Sequence, residues 1–275
     1  MAVMALMAAV IICFGVFTGC TMDSAETGLN NVIQLNMAPN SVDDMYDGCK
    51  VEMKSKVLNE FLQNEKNRDK NFKKAWELAR KKEEKKRSTT LGREQAMAIN
   101  VYTRETPNNY LAFNNAVRTQ KNQYKTTFKY HTLHFFLTDA LQTLNAKNSN
   151  ADKCLTVYRR TKCRFSQDVL NKEIRFGSFT SSSLENYPSS AKFGDKSCFE
   201  IVTCFGANIT EYSVLNGHER EVLIPPYEVF KVTQINITKQ KDLLPCEVVY
   251  KVQSTRKTSS MNCAFFPQER LPNTR

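Results

Sequence analysis

The period of the apolar pattern changes near residue 150, and a fold of a single class cannot accommodate both halves. Before that point Leu58, Phe61 and Leu62, then Phe72, Ala75, Trp76 and Ala79, recur at the spacing that lines one face of a helix. A second stripe runs through Leu133, Phe136, Leu137, Ala140, Leu141 and Leu144, and shorter helical segments are expected near 92–103 and 107–120. After it come short β-rich runs bounded by turn residues: "CLTVYRR" (154–160), "FGSFTSSSL" (176–184), "CFEIVTCFG" (198–206), "EVLIPP" (221–226), "YEVFKVTQINI" (227–237) and "CEVVYKVQS" (246–254). Helices followed by strands predict one α+β domain over 42–270, with a helical half at 42–147 packed on a β-rich half at 150–265. The β core is expected as two sheets, with a ligand cleft between them and the helices.

The chain starts "MAVMALMAAVIICFGVFTGC", apolar through Phe17 and then small. Residues 1–22 therefore read as a secretory signal, cleaved between about 19 and 25, with a retained membrane anchor as the alternative. Of nine cysteines, Cys13 and Cys20 fall in that segment and seven remain. They form no CxxC and no Cys/His cluster with zinc spacing, so disulfides are expected and no metal. Seven is odd, so at least one thiol is left over or pairs between chains. Asn208-Ile-Thr and Asn236-Ile-Thr are candidate glycosylation sites. The C-terminal "FFPQERLPNTR" lacks the hydrophobic tail of a glycolipid anchor, so a secreted protein without a stable membrane anchor is expected.

The formal net charge is +11, and residues 50–87 alone carry 14 Lys/Arg against 7 Asp/Glu. Such a run is either a patch for heparin-like polyanions or a salt-bridged helix face, and the interleaved acids favour the second. No aromatic interleaving accompanies it, so no nucleic-acid partner is expected.

In "GHEREVLIPPYEVFKV" (217–232), Glu219 and Glu221 stand two apart where a strand is predicted to begin. Alternate residues of a strand share a face, so the two carboxylates form a candidate acid/base or cation-binding pair, or a solvated strand entrance. Arg159 ends an earlier strand and Thr180–Ser183 form a hydroxyl cluster on another. Singly each has an ordinary structural explanation. Together, in this order, "VYRR" (157–160), "FTSSSL" (179–184) and "EREVLIPPYEVF" (219–230) resemble the arginine-specific mono-ADP-ribosyltransferases of the vertebrate ecto-enzyme family and related arginine-modifying toxins. That family carries an Arg on one strand, Ser-x-Ser on the next and Glu-x-Glu at the start of a later one. "INVYT" (99–103), "FNNAVR" (113–118) and "TCFGA" (203–207) extend the resemblance, which runs from Cys49 to Cys263.

The resemblance implies transfer of ADP-ribose from NAD, as co-substrate, to the guanidino group of arginine in acceptor proteins, with NAD hydrolysis as a side reaction. Arg159 would hold NAD through a phosphate and the nicotinamide ribose. Ser181 would orient the catalytic glutamate, and Glu221 would bind the ribose 2′-hydroxyl and stabilise the charge that develops as nicotinamide leaves. Glu219 would bind the acceptor arginine and relieve it of a proton. Phe193 would pack on nicotinamide, Tyr102 and Ser213 would lie along the cofactor, and 211–220 would recognise acceptors. The resemblance also implies disulfides Cys49–Cys263 and Cys154–Cys204; Cys163–Cys198 is expected as a third pair, leaving Cys246 unpaired. Arg160 departs from the Gly frequent in the family. The alternatives are a protein that is mainly an NAD glycohydrolase, or an inactive secreted protein that binds acidic glycans through 50–87.

Overall fold

The computed structural model describes residues 32–85, 90–106, 110–147, 154–214, 220–238 and 244–266; the expected signal segment and Glu219 lie outside these. The helical half opens with α1 (Lys50–Lys56), which passes through a π turn (Val57–Phe61) into α2 (Leu62–Arg68). The wider π turn rotates the apolar stripe: Val57 is fully buried, whereas Leu58, expected on that stripe, is 40% exposed. Asp69 ends α2, and its carboxylate accepts from the amides of Asn71 and Phe72 at 2.8 and 2.9 Å, capping α3 (Lys70–Lys85). Phe72, Ala75, Trp76 and Ala79 of α3 are buried, as their spacing predicts. Helices α4 (Arg93–Tyr102), α5 (Tyr110–Thr119) and α6 (His131–Ala146) complete this half.

The strands that follow build a mixed sheet. In spatial order these are β4 (Glu173–Ile174), β9 (Glu228–Ile237), β10 (Val248–Lys257), β6 (Ser197–Thr203), β2 (Leu155–Thr161), β5 (Thr180–Ser183), β8 (Glu221–Ile224) and β7 (Ala207–Asn208). Only β10 and β6 run parallel; the other neighbours are antiparallel. The two sheets expected are thus hydrogen-bonded into one array, but β2 and β5 share a single registered pair, Tyr158 with Ser183. The array divides there into a broad part and a small β5–β8–β7 part, and that seam is where the strand-borne polar residues collect. A short helix, α7 (Ser190–Phe193), sits between β5 and β6.

The packed chain begins before the expected boundary at residue 42. β1 (Val32–Ile33) pairs in parallel with β3 (Arg164–Phe165), and Leu35 enters the sheet core. Buried Arg175 anchors this arm, donating to the carbonyls of Met37 (2.7 Å) and Ala38 (3.1 Å) and pairing with Asp43 at 2.5 Å. Among the described residues, no helix is long and apolar enough to cross a membrane.

Cys49–Cys263 and Cys154–Cys204 are bonded as expected, tying the two ends of the domain and bracing β2 against the end of β6. The third expectation fails: Cys198 bonds to Cys246, so Cys246 is not the odd thiol and Cys163, which has its own disulfide, is not the partner of Cys198. Strand alternation explains it. Phe199 and Cys163 line the same cavity on one face of the sheet, so Cys198, one residue from Phe199, projects through to the other face, where it meets Cys246 and Val249. Asn208 is exposed on the edge strand β7 and Asn236 is half-buried near the end of β9.

Candidate active site

At the seam the side chain of Arg159, from β2, crosses to β5 and donates from Nη1 to the Ser181 carbonyl at 2.7 Å. A guanidinium there supplies the hydrogen bond that the interrupted β2–β5 ladder does not. The next strand, β8, pairs Glu221 with Ser183, and Glu221 is only 4% exposed. Arg159, Ser181 and Glu221 line one pocket, together with Arg160, Ser182, Ser183, Pro188 and Phe193. Three residues spread over 63 positions of sequence are brought together because β2, β5 and β8 are neighbours in the sheet. Phe193 reaches the pocket from α7 rather than from a strand and is itself buried.

Glu221 Oε2 accepts from Ser213 Oγ at 3.2 Å. The loop holding Ser213 is pinned from the helical half: Thr103 Oγ1 accepts from the Val214 amide at 3.1 Å, and Lys82 Nζ donates to the Ser213 carbonyl at 3.3 Å. Ser181 Oγ, by contrast, is buried without a hydrogen-bond partner, so the contact to Glu221 that the resemblance implied for Ser181 is made by Ser213. Tyr102 OH donates to the Phe179 carbonyl at 3.2 Å and accepts from Asn114 Nδ2 at 3.0 Å, fixing the approach to β5. Burial pushes its phenol up to about 12 and the charge of Glu221 adds to the rise, while the hydrogen bond from Asn114 and the charge of Arg159 act in the opposite sense.

Arg159 also borders a second cavity, of about 420 Å³, whose walls include Phe165, Phe176, Phe199 and Arg118. Arg118 leaves the last turn of α5 and donates to Ser178 Oγ at 2.7 Å. Burial pulls the guanidinium of Arg118 below its ordinary value, and the charge of Arg159 adds to the effect. Arg159 is lowered by burial too, with the nearby Tyr102 and Tyr110 opposing it. Two partly desolvated cations beside apolar walls favour an anionic ligand with a flat or apolar portion.

The expected pairing of Glu219 with Glu221 on one face falls outside the described residues, which resume at Arg220, with β8 beginning at Glu221. Arg220 precedes it with a φ of 38°, in the left-handed region, and forms an exposed ion pair with Glu185 at 2.6 Å. That pairing fits a structural part for Arg220. Arg160, the departure from the family pattern, lies 5.9 Å from the ring of Tyr187, and its Nε is buried without a partner.

Reading the sequence residue by residue missed Arg118, Asn114 and Glu228. The first two lie in the "FNNAVR" segment, where their spacing of four on a helix places both on the face toward the sheet. Glu228 breaks the apolar run of its strand; it is fully buried, accepts from Thr203 Oγ1 (2.6 Å) and the Cys204 amide (2.7 Å), and its carboxyl is pushed up by burial. It holds the turn that carries the Cys154–Cys204 disulfide.

A helical half on a mixed sheet, with Arg, Ser and Glu on three neighbouring strands, is the architecture of ADP-ribosyltransferases. The crystal structure of the eucaryotic mono-ADP-ribosyltransferase ART2.2 matches with a TM-score of 0.69 and 35% identity, covering 85% of this chain and 99% of that one. A variant of that enzyme has been solved in complex with NADH and matches equally well, at a TM-score of 0.69. Residues 35–259 match the family described as NAD:arginine ADP-ribosyltransferase, and the chain belongs to it. Ecto-ADP-ribosyltransferase 5 of Homo sapiens is 34% identical over 249 residues, 87% of this chain and 83% of that protein. T-cell ecto-ADP-ribosyltransferase 2 of Rattus norvegicus is 36% identical over 249 residues, 87% and 82% of the two chains. The family uses NAD as substrate and modifies arginine in acceptor proteins.

Proposed function

We propose that this chain transfers ADP-ribose from NAD to the guanidino group of arginine in extracellular acceptor proteins, releasing nicotinamide. The observation that carries this is the convergence of Arg159, Ser181 and Glu221 on one pocket beside a cavity lined by a second cation, Arg118. Arg159 and Arg118 hold the dinucleotide's phosphates, and Phe193 packs on nicotinamide. The buried Glu221 carboxylate stabilises positive charge on the ribose as the glycosidic bond breaks, and Ser181 supplies a hydroxyl to the same region. The acceptor guanidinium is protonated at neutral pH and a poor nucleophile, so Glu219 is assigned to bind it and take its proton. Water intercepting the same charge gives slow NAD hydrolysis.

Incubation with labelled NAD and agmatine tests the reading. Labelled ADP-ribosyl-agmatine is expected; free ADP-ribose alone would make the protein a glycohydrolase, and no turnover of either kind would overturn the enzymatic assignment. Glu219→Gln should abolish transfer while NAD cleavage persists, whereas Glu221→Gln should lose both.

A further inference from the structure

Residues 50–87 read from the sequence as a salt-bridged helix face, but among the described residues the ion pairs engage some of their basic residues and leave a set on α3 outside them. Lys50, Lys56, Lys66 and Arg80 are paired, with Asp139, Glu60, Glu77 and Glu77/Glu84 respectively. Lys70, Lys73, Lys74, Lys81 and Lys85 of α3 are all exposed and have no salt-bridge partner among the described residues.

Four of these share one line. Positions 70, 74, 81 and 85 are separated by 4, 7 and 4 residues, steps that return to the same side of an α-helix. The opposite side of α3 is fixed in the core by Phe72, Ala75, Trp76 and Ala79, so the lysine line faces solvent along its length. It extends over about 22 Å at 1.5 Å per residue. At its N-terminal end the line meets a cavity of about 400 Å³ lined by Lys70, Arg68 and Lys129 together with the carboxylates of Glu65 and Asp69, so the anion-binding stretch is the exposed run of α3 beyond it. The acidic residues Glu77 and Glu84, which would screen it, are engaged by Lys66, Arg80 and Arg93.

We propose that this outer face of α3 is a docking surface for a sulfated glycosaminoglycan, held along Lys70, Lys74, Lys81 and Lys85. A straight row of unscreened ammonium groups complements a linear polyanion with regularly spaced sulfates. The three disulfides between described residues fit an oxidising, extracellular setting, where such glycans are the prominent polyanions. No aromatic side chain stands on the lysine line to stack bases, which disfavours single-stranded nucleic acid. Insertion into a lipid surface is disfavoured because the apolar face of α3 is already buried in the domain. The surface is independent of the proposed chemistry at Glu221 and would hold the protein at a cell-surface or matrix glycan whether or not it turns over.

The test compares binding of a short heparin oligosaccharide to the wild-type protein, to Lys74→Gln/Lys81→Gln and to Lys162→Gln/Lys231→Gln, which removes the same charge from exposed lysines of the sheet half. Binding at physiological ionic strength (about 0.15 M) is expected for the wild type. The α3 pair should weaken it about tenfold and lower the log–log salt slope by roughly two, with the sheet pair near wild type. Equal weakening by both pairs would reduce the effect to net charge and overturn the site. So would absence of binding at that salt, or equal or tighter binding of duplex DNA or of vesicles containing phosphatidylserine.

Discussion

Arg159 Nη1 donates to the Ser181 backbone carbonyl at 2.7 Å, across the one place where the sheet's ladder narrows to a single residue pair. The same guanidinium therefore closes the seam and faces the pocket with Glu221. A lysine keeps the charge but not the planar fork, so Arg159→Lys cannot satisfy the carbonyl and present a bidentate face to an anion together. We expect NAD cleavage to fall about 100-fold in kcat/KM, the loss of one strong charge-assisted contact. Steady-state kinetics checks this, with circular dichroism showing the fold retained; a fall below threefold would dissociate Arg159 from substrate binding.

Ser213 and Ser181 should separate by the quantity they affect. Ser213 Oγ is bonded to Glu221 in the free protein, whereas Ser181 Oγ has no partner there. Ser213→Ala should lower kcat about tenfold with KM little changed, since it loosens a carboxylate already in place. Ser213→Thr, which keeps the hydroxyl, should restore most of the rate. Ser181→Ala removes a buried, unsatisfied group, so its melting temperature should stay level or rise while turnover drops. A clear loss of stability in Ser181→Ala would show that its hydroxyl is already engaged before substrate binds.

Peptide mapping without reduction should recover Cys198 linked to Cys246, and a Cys163–Cys198 peptide would refute the connectivity. The bond closes a loop of sequence separation 48. Removing it as Cys198→Ala/Cys246→Ala should cost about 2–4 kcal/mol in urea unfolding.

The sequence foretold elements and order better than register. Periodicity located α3 and α6 because their stripes face a core, and Leu58 escaped because a π turn leaves no mark on the residue pattern. The six β-rich runs each contain a strand, yet the β2–β5 seam depends on which strands become neighbours, a nonlocal outcome that no run encodes. Arg159, Ser181 and Glu221 were legible as a set through resemblance, while chemistry alone left each with a bland reading. Arg118 and Glu228 were invisible for a different reason. A cation late in a helix and an acid in a strand become informative only once burial is known, and both are held by partners from distant segments. The mispaired Cys198 shows the same limit, since choosing its partner requires knowing which face of β6 it occupies.

The helical half holds a carboxylate whose titration can be followed in isolation. Glu65 is 7% exposed, accepts from the Thr132 amide at 3.2 Å, and is raised by burial from an ordinary value of 4.5 to about 7, with the hydrogen bonds acting against the rise. Because the folded value lies above the unfolded one, the stabilising contribution is complete below about 4.5 and is lost as pH rises through about 7. Between pH 5 and 8 this single group should therefore cost the wild type about 2–3 kcal/mol. Glu65→Gln keeps an oxygen for the Thr132 amide and removes the charge, so its stability relative to wild type should improve steadily across that range. Other buried groups, such as Asp44, raised to about 6, and His134, lowered to about 4, contribute to both proteins and cancel in the difference. Urea unfolding of both proteins at pH 5, 6, 7 and 8, with disulfides intact, gives the difference curve directly. A flat difference would mean that Glu65 is already ionised in the folded protein at pH 5, and that the amide bond to Thr132 outweighs its burial.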